Sequence, residues 1–244
     1  MNNEILKVQG LKKKYGRVPV LDSVNVTIKE GEFVAIMGAS GSGKTTLLNC
    51  IATMEVFDEG SIVLNGKEIK ELREKDLSDL RKDEMGYIFQ EYNLLEMLTI
   101  RENIALPLTV YKEEKFEKVE EMARYFKIDN ILERLPSEVS GGERQRCACA
   151  RALIKNPRII LADEPTGALD RKSSQSLLRL LRKMNRDFKT SVLMVTHDSF
   201  SASYCDKVLY IQDGKILMEI ERGNQDQGEY LQTILKNLYT EGEF

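Results

Sequence analysis

At 244 residues, with 42% hydrophobic and 31% charged side chains, the chain has the composition of a globular protein able to bury a sizeable core. Its 36 basic residues against 39 acidic ones give a net charge of −3, so it has no overall electrostatic footprint for nucleic acid, and no nucleic-acid partner is expected. No apolar run approaches the roughly 18 to 20 residues of a membrane helix, and residues 1–10 lack the apolar stretch of a secretory signal, so a cytosolic chain without a pore of its own is expected.

Residues 4–37 read as strands. Ile5, Lys7 and Gln9 alternate with Leu6, Val8 and Gly10, and Val24, Val26 and Ile28 alternate with polar partners. Lys12-Lys13-Lys14 fits a solvated strand edge. Tyr15, just past the first strand, offers a ring that can stack on a base or simply half-bury as structure.

Phe33 to Met37 is a buried-strand run, and it leads into Gly38-Ala39-Ser40-Gly41-Ser42-Gly43-Lys44-Thr45, which fits G-x-x-x-x-G-K-[ST] at every fixed position. Glycines let successive N–H groups converge on one anion, and the helix opening at Thr46 adds its positive end. Lys44 then reaches the β- and γ-phosphates, and the Thr45 hydroxyl is placed for Mg²⁺. A nucleoside triphosphate is the expected ligand.

A hairpin follows, Ile62 to Leu64 turning through Asn65-Gly66 to Glu68-Ile69, so an antiparallel sheet is expected beside the phosphate loop. After a short helix near Asp76 to Lys82, Tyr87 to Gln90 reads as a strand. From Glu91 to about Glu138 the composition turns helical, with a capping box at Thr99 to Glu102 and helical spacing from Glu113 to Phe126. This is a helical lobe inserted between two core strands.

Ser140-Gly141-Gly142-Glu143 again forms a capping box, before a helix over Arg144 to Lys155. The glycine pair weakens that helix's first turn yet opens its N–H groups to an anion, a second phosphate-facing helix end. Ile159 to Ala162 is a strand that delivers Asp163 and Glu164, one acid suited to Mg²⁺ and the next to polarising an attacking water. A helix over Ser173 to Phe188 precedes the strand Ser191 to Val195, which ends at His197, the sole histidine, on the sheet edge where such folds place ligands. A hairpin around Asp213-Gly214 and a helix near Tyr230 to Leu238 complete the chain. Cys50, Cys147, Cys149 and Cys205 form no C-x-x-C pair and read as buried reduced thiols.

GASGSGKTT, the strand-terminal Gln90, VSGGERQR, IILADEP, GALD and VTHD occur in the order found in ABC-type ATPases, which this chain resembles over nearly its whole length. The resemblance implies an α/β P-loop NTPase with a RecA-like core and antiparallel β-subdomain (residues 1–90 and 157–225), an inserted α-helical subdomain (91–156) and a C-terminal helix (226–244). It implies ATP and Mg²⁺, with Tyr15 stacking on adenine and residues Gly38 to Thr46 around the phosphates. Thr45, Gln90 and Asp163 become metal ligands, Glu164 the base, His197 the switch histidine and Asp170 a dimer contact. Ser140, Gly141, Gly142 and Glu143 become the signature, which faces ATP across a head-to-tail homodimer.

GEFVAIMGASGSGKTTLLN, IFQEYNLLEMLTIRENIALPL, ADEPTGALD and MVTHDSFSASYCDKV are similar to the ATPase subunits of antimicrobial-peptide (bacitracin-type) resistance transporters, relatives of macrolide-efflux and lipoprotein-release ATPases. That implies an integral membrane permease as partner, a peptide or lipid handled by that permease, and a place at the cytoplasmic face of the membrane. The permease is expected to dock a helix beside Gln90, with residues 91–98 lining the groove or packing within the helical lobe. A soluble ABC ATPase acting on ribosome or DNA would show two cassettes or a coiled-coil insertion, and a P-loop kinase would leave Ser140 to Glu143 and His197 unexplained. Family members usually carry Gln where this chain has Glu143, whose carboxylate either lies near bound phosphate or caps its own helix.

Overall fold

The computed structural model describes residues 4–109 and 116–240. In chain order the first strands are β1 (Glu4–Tyr15), β2 (Val18–Lys29) and β3 (Phe33–Met37), followed by helix α1 (Lys44–Ile51), β4 (Glu59–Leu64), β5 (Lys67–Glu68), α2 (Glu74–Asp83) and β6 (Met85–Ile88). Helices α3 (Ile100–Thr109), α4 (Phe116–Tyr125) and α5 (Gly141–Leu153) come next, then β7 (Ile159–Asp163), α6 (Arg171–Phe188), β8 (Ser191–Thr196), α7 (Ser199–Ala202), β9 (Lys207–Gln212), β10 (Lys215–Glu221) and α8 (Gln227–Thr240).

Two sheets form. Strands β2-β1-β4-β5 pair antiparallel, and β10-β9-β3-β8-β7-β6 make a six-stranded sheet, parallel except for β10. The alternation of strand side chains sends each inner strand to two cores at once. Phe33, Ala35 and Met37 of β3 join Ile160 and Val192 against the helices, while Val34 and Ile36 join Leu161 and Leu193 against α1 and the antiparallel sheet. Each fully buried aliphatic side chain here contributes on the order of 2 kcal/mol. The consequence is a rigid platform whose strand C-terminal ends carry the loops after β3, β6, β7 and β8.

Helices α3, α4 and α5 lie between β6 and β7, which are direct neighbours in the sheet. The hairpin turns form as their dipeptides require, with positive φ at Asn65 and Gly66 and again at Asp213 and Gly214.

The structure departs from simple patterning in several places. Leu6 and Val8 are buried as alternation demands, but Ile5 is buried too, because the pairing with β2 slips between Glu4 and Leu6. Tyr15 is the last residue of β1 rather than a residue beyond it, and β6 stops at Ile88, which leaves Gln90 on the following turn. Residues 113–115 of the expected helix lie outside the described residues.

All four cysteines are buried and unbridged. Burial pushes the thiols of Cys50 and Cys147 up to about 12, and raises those of Cys149 and Cys205 well above the ordinary thiol range.

Candidate active site

The loop after β3 is wedged between two other strands. A Cβ on Gly38 would lie 2.2 Å from the Ile211 carbonyl oxygen; Gly43 has φ 101, and a Cβ there would lie 2.8 Å from the Val20 carbonyl oxygen. Only glycine fits either position. Gly43 also starts α1 without any side-chain cap, so the helix presents its first amides uncovered, the arrangement that receives anions.

Lys44 is 5% exposed and folds back on this loop, its Nζ donating to the carbonyls of Gly38 (2.9 Å) and Ala39 (2.7 Å). Burial pulls the ammonium below its ordinary pKa, and Glu164 and Asp163 nearby pull it partly back. Ser42 Oγ is buried beneath the loop with no hydrogen-bond partner.

The acids at the end of β7 behave differently from each other. Asp163 accepts a hydrogen bond from the Thr45 hydroxyl at 3.2 Å, and burial raises its pKa against the opposing effect of that bond. Glu164 has φ 41, a left-handed backbone that costs roughly 1 to 2 kcal/mol for a residue with a Cβ. It is held there by its N–H on the Val195 carbonyl (3.1 Å) and by the Gly167 N–H on its own carbonyl (2.9 Å). Its Oε2 sits 3.1 Å from His197 Nδ1, so the β7 and β8 ends meet through their side chains. Gly167 keeps this corner open: a Cβ there would lie 3.0 Å from Gln90 Nε2 and 3.4 Å from Glu164 Oε2.

These groups line one cleft of about 790 Å³, walled by Tyr15, Val20, Ala39, Ser40, Gly41, Gly43, Lys44, Thr45, Thr46, Gln90, Glu164 and His197. Tyr15 is 49% exposed at its rim, with Lys13 Nζ 4.9 Å from the ring centroid. Gly38, Ser42 and Asp163 lie behind the wall rather than in it. Val20 has no counterpart in the sequence reading, because nothing in a half-buried apolar strand residue signals a ligand.

Ser140, Gly141, Gly142, Glu143 and Asp170 are not part of that cleft. They gather at the starts of α5 and α6, where Ser173 Oγ would lie 3.5 Å from a Cβ on Gly142. Asp170 caps α6, accepting from Lys172 N (2.9 Å), Ser173 N (3.0 Å) and Ser173 Oγ (2.5 Å).

The family described as ABC transporter matches residues 21–167. The chain belongs to the ABC transporter family. Among its relatives, the bacitracin export ATP-binding protein BceA of Halalkalibacterium halodurans is 44% identical over 95% of this chain and 94% of its own length. The macrolide export ATP-binding/permease protein MacB of Mannheimia succiniciproducens is 42% identical over 89% of this chain but only 35% of its own length. Among solved structures, a dimeric post-hydrolysis state of the ATP-binding cassette MJ0796, a protein of Methanocaldococcus jannaschii, bound to ADP and Pi, superposes with a TM-score of 0.80 at 37% identity, covering 88% of this chain and 98% of that one.

In this ABC chain Glu143 is turned toward its own helix. Its Oε2 accepts from Ser140 N (2.8 Å) and Ser140 Oγ (2.6 Å), and those bonds hold its carboxyl below the usual range. A folded-state pKa below the unfolded one means that the cap stabilises at neutral pH and that this contribution is lost as pH falls below the unfolded value of about 4.3. Glu143→Gln keeps an acceptor for the capping box but loses the charge at the helix N-terminus, so it is expected to lower stability by about 0.3 to 1 kcal/mol near neutrality. Thermal melts at neutral and acidic pH check this: the difference from wild type should close in acid. A more stable variant at neutral pH would place the carboxylate in a repulsive environment instead.

Proposed function

We propose that this chain is the ATP-binding and ATP-hydrolysing subunit of an ABC transporter, working as a head-to-tail homodimer that drives a separate membrane permease, with antimicrobial-peptide resistance or export as its task. One observation carries the reading: the cleft holds the phosphate loop, Gln90, Glu164 and His197 in a single wall, while Ser140 to Gly142 stand apart from it. The half-site of each protomer is completed by the partner.

In this reading Tyr15 stacks on the adenine, the amides of residues 38–46 take the phosphates, and Lys44 leaves the Gly38 and Ala39 carbonyls to reach the β- and γ-oxygens. Thr45, Gln90 and Asp163 offer hydroxyl, amide and carboxylate oxygens, the hard donors suited to Mg²⁺, and Thr45 and Asp163 already lie within hydrogen-bond reach of each other. When bound, Mg²⁺ offsets charge on the β- and γ-phosphates. Among the described residues no cluster of three or more His, Cys, Asp or Glu competes for it.

Glu164 orients water and takes its proton, with its carboxylate steadied by His197, which also reaches the γ-phosphate. The signature residues of the second copy close the far side, and Asp170 meets that copy near the capped start of α6. Closure on ATP and reopening after hydrolysis supply the motion. Similarity to the macrolide export ATP-binding/permease protein MacB over 35% of its length supports a macrolide-efflux type of ATPase as the second reading.

Among the described residues no helix is long and apolar enough to cross a membrane. In this reading the work passes to a separate permease at the cytoplasmic face. A cleft of about 530 Å³ lies where β6 and α2 meet α3 and α5, lined by Ser78, Tyr87, Phe89, Asn93, Pro107 and Arg151 among others. It has the aromatic floor and basic rim that suit an amphipathic helix of a permease. The expected groove residues need correction: of positions 91–98 only Asn93 lines this cleft, Leu94 packs on the helical core, and Leu95 and Met97 face outward. A left-handed turn at Tyr92 and Asn93 swings them away.

Ser78, exposed on α2, allows a test by filling the cleft. Ser78→Trp is expected to leave ATP affinity within about twofold while abolishing co-purification with the permease from membranes, since the side chain occupies the partner's volume. Undiminished co-purification would move the docking surface elsewhere.

A further inference from the structure

Gln145 lies in the second turn of α5 and is fully buried. Its Nε2 donates to two carbonyls, that of Phe89 at 3.3 Å and that of Pro165 at 2.9 Å. Phe89 immediately precedes Gln90, and Pro165 immediately follows Glu164. One amide therefore spans the two loops that carry the metal-ligating glutamine and the base. Its Oε1 is buried with no hydrogen-bond partner, a cost that persists where the donor end is needed.

The same helix grips the Gln90 segment at two further points. Tyr92 and Asn93 both adopt left-handed backbone, with φ 64 and 47, and Arg151 near the end of α5 donates to both of their carbonyls, at 2.9 and 2.6 Å. The Tyr92 hydroxyl lies 2.9 Å from where a Cβ on Gly141 would be, and the Arg144 guanidinium sits 5.3 Å from the Tyr92 ring centroid. The Gln90 loop and the start of α5 are thus joined into one body. Gln145 differs from the other two contacts because it also reaches the Glu164 loop.

We propose that Gln145 is a positioning residue for hydrolysis: it sets the spacing between the Gln90 and Glu164 loops and makes that spacing depend on the orientation of α5. Any tilt of α5, whose N-terminus carries Ser140 to Gly142, then moves the base and the glutamine of the same protomer together. Substrate binding does not need this link, because the loop after β3 and the ring of Tyr15 are anchored elsewhere. The link matters for placing the water against the γ-phosphate. This inference rests on the roles proposed above for Gln90 and Glu164.

The test is Gln145→Leu in the full chain, a substitution close in volume that removes both donated bonds. Turnover, KM and the affinity for a fluorescent ATP analogue are measured well below the melting temperature. A kcat lowered about 100-fold with KM and analogue affinity within about twofold is the result expected for misplaced catalytic groups, whereas a general loosening of the fold would weaken binding as well. Wild-type kcat would overturn the proposal, as would equal losses in kcat and analogue binding. If the leucine variant does not fold, Gln145→Met fills the slot with a more adaptable chain, and unfolding of both assigns Gln145 to the fold alone and overturns it. Glu164→Gln, assayed alongside, separates the two readings: turnover surviving there removes the assignment of the base, while an inactive Glu164→Gln beside a fully active Gln145→Leu removes only the present proposal.

Discussion

Glu164→Gln is expected to bind ATP normally and to lose hydrolysis by roughly 10² to 10⁴-fold, the contribution of a positioned general base. The amide keeps the shape of the carboxylate, so the left-handed backbone at φ 41 and the contact with His197 Nδ1 survive, and what disappears is the basic lone pair facing the water. With turnover blocked, ATP should hold two copies together, because a ligand bound only in the closed pair stabilises that pair by mass action. Phosphate release measures the first effect and sedimentation with ATP the second. Wild-type turnover would transfer the base role to another residue.

Lys44→Ala is expected to remove nucleotide binding altogether as seen by titration calorimetry. Each charge-assisted hydrogen bond to phosphate is worth about 1.5 to 3 kcal/mol, so losing two of them weakens affinity by roughly 10² to 10⁴-fold. The structure adds a second cost, since the Gly38 and Ala39 carbonyls lose the donor that satisfies them at 2.9 and 2.7 Å. The loop is therefore expected to be less well shaped for phosphate even before ATP arrives. A melt of the variant separates that local effect from global unfolding, and full retention of affinity would refute the assignment of the loop.

The parts of the molecule that were legible from its residues are those in which a local rule and the tertiary fold agree. Phe33 to Met37 had to be a strand buried on both faces, Asn65-Gly66 and Asp213-Gly214 had to turn, and the phosphate loop declared itself by spacing. What stayed hidden depends on neighbours distant in sequence. Glutamate has no preference for left-handed backbone, so the conformation of Glu164 comes from the pairing of β7 with β8 and not from any local signal. Tyr92 and Asn93 are bent where Arg151, some sixty positions away, binds their carbonyls, which is why Asn93 alone of residues 91–98 lines the cleft that their apolar pattern points to. Gln145 reads as an ordinary polar residue in a capped helix, and its importance appears only once Phe89 and Pro165 are seen on either side of it. The capping box at Ser140 was readable, but the choice between a cap and a phosphate neighbour for Glu143 needed coordinates.

The four buried thiols give the molecule an internal clock. A thiolate is the species that reacts with alkylating agents, and here both burial and raised pKa values suppress it in the native state. Labelling therefore requires each region to open, and where reclosing is fast it tracks the population of the open form. Cys50 sits on the helix that follows the phosphate loop, Cys147 and Cys149 on α5, the last of the inserted helices, and Cys205 just before β9. Mass spectrometry of the alkylated peptides would time the breathing of three separate parts of the wild-type chain, with and without nucleotide, and no engineered probe would be required.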